Sequence, residues 1–381
     1  MPLSIDQRVL DHPEERELLA LTQEICQREL APRAAEHEAA ATFPESTYRL
    51  LGGSGLLALP FPEQFGGTDI STAAYLQVIE ELATAWLSVA IGVSVHTLAA
   101  SPVLWFGTAE QQERWLPRML SGSTLGAYCL SEPEAGSDAA HMSTRATRVE
   151  DQWRIDGRKA WITHGAVADF FALFARTGEA GARGITLFMT EPATTLTPDA
   201  PERKMGLWAS PTVQLAFDDH RIADNDRIGE LGSGFAIAMR ALDAGRLGIA
   251  ACAVGHAQHA LDLAVSYSRE RKQFGRAILE FQGLRWLLAE LQAQIIGARA
   301  TYLDAARRKD AGMPYTAHAS AAKLLATDVA MKVVTEVVQV LGGNGYVSDY
   351  DAERLFREAK VLQIVEGTNQ IQREILGKHL S

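Results

Sequence analysis

The hydrophobic period of this chain changes twice, and no other feature limits its fold as much. Up to about residue 120 the apolar residues recur at helical spacing, as in Leu18, Leu19, Leu21, Ile25 and Leu30 with charges opposite them. From Gly122 to about Gly229, short apolar runs between turn residues replace that pattern, and 170–176, 185–190 and 213–217 read as strands. Trp153, Ile155, Ala160 and Ile162 alternate around Asp156-Gly157, which predicts a hairpin there. Beyond Gly232 the helical period returns in long pieces, 234–271, 282–311 and 315–341, with a shorter one after them. Gly312-Met313-Pro314 and Gly342-Gly343-Asn344-Gly345 punctuate these pieces. The order predicts an α+β chain: an N-terminal α-helical domain (1–121), a middle β-barrel-like domain (122–231) and a C-terminal four-helix bundle (232–381). It is not the strand–helix alternation of a doubly wound sheet. In keeping with that, Gly53-x-Gly55-x-x-Ala58 follows a helix pattern rather than a strand and reads as a loop, not a dinucleotide fingerprint.

Residues 82–109 contain no Asp, Glu, Lys or Arg and are long enough to cross a bilayer. Ser88, Gly92, Ser94, His96 and Ser101 interrupt the run, and Pro102 and Gly107 divide it. Two buried helices joined by a bend are expected, not a transmembrane segment. The net charge of −11 leaves no basic stripe to neutralise phosphates, so nucleic acid is not expected as a partner. Cys26, Cys129 and Cys252 stand far apart in no zinc or disulfide spacing. No metal site is expected, and a reducing cytoplasm suits the chain. The polar, acidic N-terminus does not read as a signal peptide.

Several stretches carry more polar and glycine residues than packing needs. Glu366 follows the apolar pair Ile364 and Val365 and precedes Gly367, Thr368, Asn369 and Gln370. One helix pattern stops there and another begins, with Thr368 as N-cap. A carboxylate with apolar neighbours at such a break can have a raised pKa and act as a base near neutral pH; a solvated glutamate is the plainer reading. The segment 128–138, YCLSEPEAGSD, offers hydroxyls and backbone N–H groups to a ligand with carbonyls or phosphates, or is an ordinary turn out of a strand. In 159–163, KAWIT, an indole and the hydroxyl of Thr163 share a strand face. They suit the edge of a planar heterocycle, or Trp161 is a core residue. The cations of 271–275, RKQFG, fit a pyrophosphate clamp or merely complement a helix C-terminus. The glycines of 339–345, QVLGGNG, allow a close backbone approach, where a simple cap needs only one.

These segments, with Phe281-Gln282 and 365–373 (VEGTNQIQR), occur in the order and rough spacing of the acyl-CoA dehydrogenase family, and the chain resembles that family from end to end. The resemblance implies FAD bound between the β domain and the C-terminal bundle. Tyr128, Leu130, Ser131, Gly136 and Ser137 would lie along the flavin and the CoA side of the cleft, and Trp161, Ile162 and Thr163 against the isoalloxazine. Arg271, Gln273, Phe274 and Gln282, and likewise Gln339, Leu341, Gly342 and Gly343, would reach the FAD of a neighbouring subunit. Thr368, Asn369 and Gln370 would meet its adenine-nucleotide part. Ser137, Asp243, Arg246 and Gly367 match segments lining the substrate site. Glu366 matches the base: it would take the α-proton of an acyl-CoA while the β-hydrogen passes as hydride to flavin N5, giving a trans-2-enoyl-CoA. Some relatives carry the base on the segment holding Asp243 and Arg246, but here that position is Gly245. A homotetramer, and electron-transfer flavoprotein as acceptor, are implied as well.

The resemblance leaves the substrate open among short or medium, straight or branched acyl groups. No Lys or Arg occurs between Arg49 and Arg114, the region expected to meet the acyl tail, so dicarboxylic substrates are disfavoured and an apolar tail pocket is expected around Trp86, Leu87, Leu98, Leu104 and Trp105. A flavin oxidase or a non-catalytic flavin- or CoA-binding protein on the same fold are the alternatives. Glu134 and His164 depart from the family's pattern in the motifs that carry the resemblance.

Overall fold

The computed structural model describes residue 8 and residues 10–380; most of the polar N-terminus noted above lies outside them. The helical first third consists of α1 (Pro13–Ile25), a π turn (Cys26–Leu30), α2 (Ala31–Ala40), α3 (Glu45–Gly53), α4 (Thr72–Ala85), α5 (Leu87–Phe106) and α6 (Ala109–Met119). The middle part is one eight-stranded sheet in the order β6-β7-β3-β2-β4-β5-β8, with β1 (Gly126–Cys129) added in parallel to β4. Its other strands are β2 (Arg145–Val149), β3 (Gln152–Thr163), β4 (Phe170–Arg176), β5 (Ile185–Thr190), β6 (Leu196–Pro198), β7 (Thr212–Ala223) and β8 (Arg227–Ile228). The last part holds α7 (Gly234–Glu270), a tight hairpin of β9 (Lys272–Gln273) and β10 (Arg276–Ala277), α8 (Gln282–Asp310), α9 (Thr316–Leu341), α10 (Ala352–Leu362) and α11 (Asn369–Lys378). The three-part α+β architecture predicted from the changes of period is the one observed.

The helices of the first and last parts share one core. α4 and α5 pack directly on α7, and Ile79, Leu82, Val89 and Val93 join Leu247, Ala250 and Val254 in a single buried cluster. A buried ionic knot fixes the same junction: Glu80 of α4 accepts hydrogen bonds from Arg8 (2.7 Å), from Arg299 of α8 (3.0 Å) and from Tyr302 (2.5 Å). Each charge is paired, which is the condition for keeping charges in a dry core.

Two local expectations fail for identifiable reasons. Asp156-Gly157 is not a hairpin turn: β3 runs straight through it, with a bulge between Ile155 and Gly157. Gly157 sits at φ 146°, and a Cβ there would lie 2.7 Å from the Thr144 Cα. The glycine therefore serves a close backbone crossing inside a strand, which reads like a turn in sequence. Likewise Pro102 does not divide its helix; α5 continues to Phe106. The bend comes at Trp86, which is extended (φ −161°) and donates its indole N–H to Glu38 (2.8 Å). α5 alone is long and apolar enough to cross a membrane among the described helices, and 83% of its most apolar window is buried inside the protein.

Candidate active site

Glu366 lies in the connection between α10 and α11, in the left-handed region (φ 54°), followed by Gly367 at φ 85°. A left-handed glutamate is strained, so the surroundings must hold it. They do so through the next residue: the Gly367 carbonyl accepts hydrogen bonds from Lys323 Nζ (2.9 Å) and Gln372 Nε2 (2.8 Å). Lys323 also donates to Asn369 Oδ1 (2.7 Å), and the Asn369 amide donates to Thr327 (2.9 Å) and Asp328 (2.8 Å). Thr368 caps α11 as expected, accepting from the Ile371 N–H (3.3 Å).

The turn points the carboxylate at α7. A Cβ on Gly245 would lie 2.8 Å from Glu366 Oε2 and 3.3 Å from Leu98 Cδ1 of α5. The missing side chain therefore makes room for the carboxylate as well as removing a rival one. Gly245→Ala should fold normally, because the atom it strikes is the mobile end of a side chain, but displacing that atom should slow the reaction by about 10²-fold, the usual effect of a misplacement near 1 Å. Thermal melting alongside flavin-reduction kinetics checks both halves.

Burial raises the Glu366 carboxyl to about 7, with Arg246 and Lys323 pulling it the other way. Its Oε2 is buried and has no hydrogen-bond partner among the described residues. Arg246 is buried in an ion pair with Asp243 (2.5 Å), which also accepts from Thr316 (2.6 Å); the Arg246 Nε is unpartnered as well. Tyr128 of β1 completes the group. Its hydroxyl donates to the Ala238 carbonyl of α7 (3.4 Å), and its pKa is raised by burial and then by Glu366. A carboxyl that titrates near neutrality and a guanidinium, each with an unsatisfied buried atom, form a site lacking a polar ligand.

The two stretches expected along a planar ring are neighbours: the Ala160 N–H donates to the Ser131 carbonyl (2.9 Å). A second bulge in β3 between Lys159 and Ile162 leaves Trp161 left-handed (φ 63°) and 62% exposed, while Ile162 is buried and Thr163 half-buried. The indole is thus a surface group on a strained backbone, not a core residue. Leu130 is buried; Gly136 and Ser137 are exposed in the turn, as is Glu134. His164 is buried, bonded to the Gly126 carbonyl (3.2 Å) and the Tyr48 hydroxyl (3.2 Å), and burial lowers its pKa to about 4.

Other expected residues stand apart from this cluster. Arg271, Gln273, Phe274 and Gln282 are exposed on and beside the β9–β10 hairpin, Phe274 to 94%. Gln339, Gly342 and Gly343 are exposed where α9 ends, with Leu341 buried beneath them. Gln370 is exposed, and the Asn369 side chain is taken up by the internal network.

The site also uses residues that the sequence reading did not select. Lys323 stands four residues from both Ala319 and Thr327 on the buried face of α9, and a lone cation on an apolar face was the available signal. The other case is an ion pair that joins the 128–138 and 159–163 segments. Glu132 accepts from Lys159 (2.8 Å), from Thr144 N–H (2.9 Å) and from Ser143 N–H (2.6 Å). Burial by itself would raise this carboxyl, but Lys159 and the other donors bring it down to about 2. Its stabilising effect is therefore complete above about pH 4.5 and is lost as pH falls toward 2. Glu132→Gln should cost about 3 kcal/mol in urea unfolding at pH 7, by leaving Lys159 buried without its counter-charge.

Models of the acyl-CoA dehydrogenase N-terminal, middle and C-terminal domains match residues 12–123, 127–220 and 232–381. The chain belongs to the acyl-CoA dehydrogenase family. As a member it is an enzyme, an oxidoreductase acting on CH–CH bonds, in a family of flavoproteins. Among its relatives is the short-chain specific acyl-CoA dehydrogenase of Clostridium acetobutylicum, 40% identical over 366 residues and covering 95% of this chain and 97% of the relative. Butyryl-CoA dehydrogenase from Megasphaera elsdenii has a solved structure that superposes with a TM-score of 0.96 at 37% identity, over 98% of this chain and 99% of the other. A structure described as electron transferring flavoprotein of Acidaminococcus fermentans matches with a TM-score of 0.95 at 37% identity, over 97% and 98%. The acyl-CoA dehydrogenase fold thus accounts for nearly all of the chain.

Proposed function

We propose that this chain is an FAD-dependent dehydrogenase of short acyl-CoA thioesters, with Glu366 as the base that takes the α-proton. The observation that carries the proposal is Glu366 itself: a strained, braced carboxylate with a pKa near 7 and one unpartnered oxygen, facing a gap left by Gly245. The exposed Trp161 indole on its bulge, beside the Leu130-Ser131 edge, fits the face of a flavin. Thr163 and Ser131 would supply polar contacts to the ring. FAD held there supplies the acceptor for the β-hydrogen and its electron pair. The chain's own residues manage the proton and the developing charge. Among the described residues the Glu366 backbone N–H donates to no partner, which leaves it available to a thioester oxygen as enolate character develops. Arg246 and Lys323 keep part of the Glu366 population ionised in a site whose dryness would otherwise protonate it.

A small cavity of about 60 Å³ next to Gly245 supports a short tail, as do the relatives named for short-chain substrates and butyryl-CoA. Of the residues expected around that tail, Leu98, Leu104 and Trp105 line it, whereas Trp86 and Leu87 belong to the helical core. The exposed Phe274 of the β9–β10 hairpin, Trp286 of α8 and Tyr346 beyond the end of α9 support self-association, in which the hairpin residues would complete a neighbour's FAD site. Electron-transfer flavoprotein is the proposed acceptor. The three buried thiols are free, in keeping with a reducing compartment.

Anaerobic titration of the flavin-loaded protein with butyryl-CoA and octanoyl-CoA tests this reading. Bleaching of the oxidised flavin band by butyryl-CoA, much faster than by octanoyl-CoA, is expected. A flavin that no acyl-CoA bleaches would overturn the dehydrogenase assignment, and rapid peroxide formation in air would replace the proposed acceptor with oxygen.

A further inference from the structure

The cavity beyond Gly245 has an apolar wall of Leu76, Leu98, Leu104 and Trp105, but it also carries polar groups that a plain alkyl tail does not need. Thr72, Tyr75, Ser94, Thr97 and Ser101 bring five hydroxyls to it from α4 and α5, that of Ser101 already donated to the Thr97 carbonyl (2.7 Å). Tyr75 is only 6% exposed, yet its hydroxyl has no hydrogen-bond partner among the described residues, and neither has that of Thr97. Burial raises the Tyr75 pKa, and the neighbouring Thr97 and Ser94 hydroxyls temper the rise. A cation is present too. Lys309 reaches the cavity from α8, donating to Thr72 Oγ1 (2.9 Å) and lying 6.0 Å from the Trp105 ring centre. The stretch from Arg49 to Arg114 has no cation of its own, so a charge at this end of the tail site was invisible in the local sequence. Asp310, next in the chain, accepts the Thr72 and Ala73 N–H groups instead (3.0 and 3.3 Å), which caps α4 and fixes Lys309 beside it.

An alkyl end placed here would bury these donors unsatisfied. An oxygen atom would satisfy them, and a site built around such a bond rejects the analogue that lacks the oxygen far more strongly than it separates chain lengths. We propose that Tyr75, Thr97 and Lys309 select a short acyl-CoA whose tail ends in an oxygen acceptor, a hydroxyl or a carboxylate, over one ending in a methyl group. The proposal rests on the dehydrogenase reading and names the substrate class for that site.

The test is anaerobic stopped-flow reduction of the holoenzyme by three thioesters: valeryl-CoA, 4-hydroxybutyryl-CoA (its isostere with hydroxyl for methyl) and succinyl-CoA. At least one oxygen-ended substrate should exceed valeryl-CoA in reduction efficiency by about 100-fold or more. The neutral and charged arms distinguish the two sources of the oxygen, and Lys309→Met should depress the succinyl-CoA arm most. In Tyr75→Phe and in Thr97→Val the ratio of the preferred substrate to valeryl-CoA should fall at least about tenfold. That ratio is taken within one preparation, so partial misfolding of either variant cancels. If valeryl-CoA matches both oxygen-ended substrates, or neither substitution moves the ratio, the selection is overturned while the dehydrogenase stands. If none of the thioesters, butyryl-CoA included, bleaches the flavin, both readings fall.

Discussion

Glu366→Gln should slow flavin reduction by butyryl-CoA by about 10³-fold, within the range that a positioned general base contributes. Glutamine preserves the size of the side chain and its left-handed backbone, so substrate binding should change little. The loss should appear in the rate constant for bleaching and not in its half-saturation concentration. The pH profile gives a sharper readout. Burial raises the carboxyl to about 7 in the free protein, and only the ionised form accepts a proton. The wild-type efficiency should therefore rise with pH through about 7 and level off above about 8. Below about pH 6 it should fall tenfold per unit. In the glutamine variant that dependence should vanish. A variant that keeps the wild-type rate, or keeps the same profile, would remove Glu366 from the proton transfer.

Lys323→Met should have the next largest effect. Lys323 acts on Glu366 in two ways. Its ammonium favours the ionised carboxylate, and its bonds to the Gly367 carbonyl and Asn369 hold the turn that aims it. The amine is itself poised, since burial lowers it to about 7 while Glu366 works against that lowering. Replacement by methionine removes a charge that pulls the Glu366 pKa down, so the midpoint of the pH profile should move up from about 7. At pH 7 the reduction efficiency should drop by about 10–100-fold, and part of that loss should return at pH 9 as the carboxyl ionises. A drop of the same size at every pH would show that Lys323 only braces the turn.

The broad architecture was legible because each change of fold coincides with a change of hydrophobic period, and period is a local property. Phe170–Arg176 and Ile185–Thr190 are full strands as read, and the three long helices end within a residue of their expected limits. The candidate base was legible for a related reason: Glu366 marks a break between two amphipathic patterns. Contacts between residues far apart in sequence were not legible. Lys323 meets Gly367 across 44 residues, Lys159 meets Glu132 across 27, and Lys309 meets Thr72 across 237. No local pattern announces such pairs, although a lone lysine on the apolar face of α9 was a partial signal. Gly157 and Pro102 misled in the opposite direction. Each carries a strong local preference that packing overrides, one with a bulge against Thr144 and the other with a helix held on all sides.

That enclosed helix has a consequence for how the protein comes into being. α5 buries nearly every residue from Leu87 to Val103, and much of its cover is α7. α7 does not begin until residue 234, so at about 5–20 residues per second the ribosome finishes α5 on the order of ten seconds before its partner exists. During that interval a 20-residue apolar helix has nothing of its own chain to lie against on one whole side. The N-terminal helices therefore do not mature as a separate unit during synthesis. They wait, in the care of whatever shields nascent apolar surface, until the far end of the chain emerges and closes the core over them.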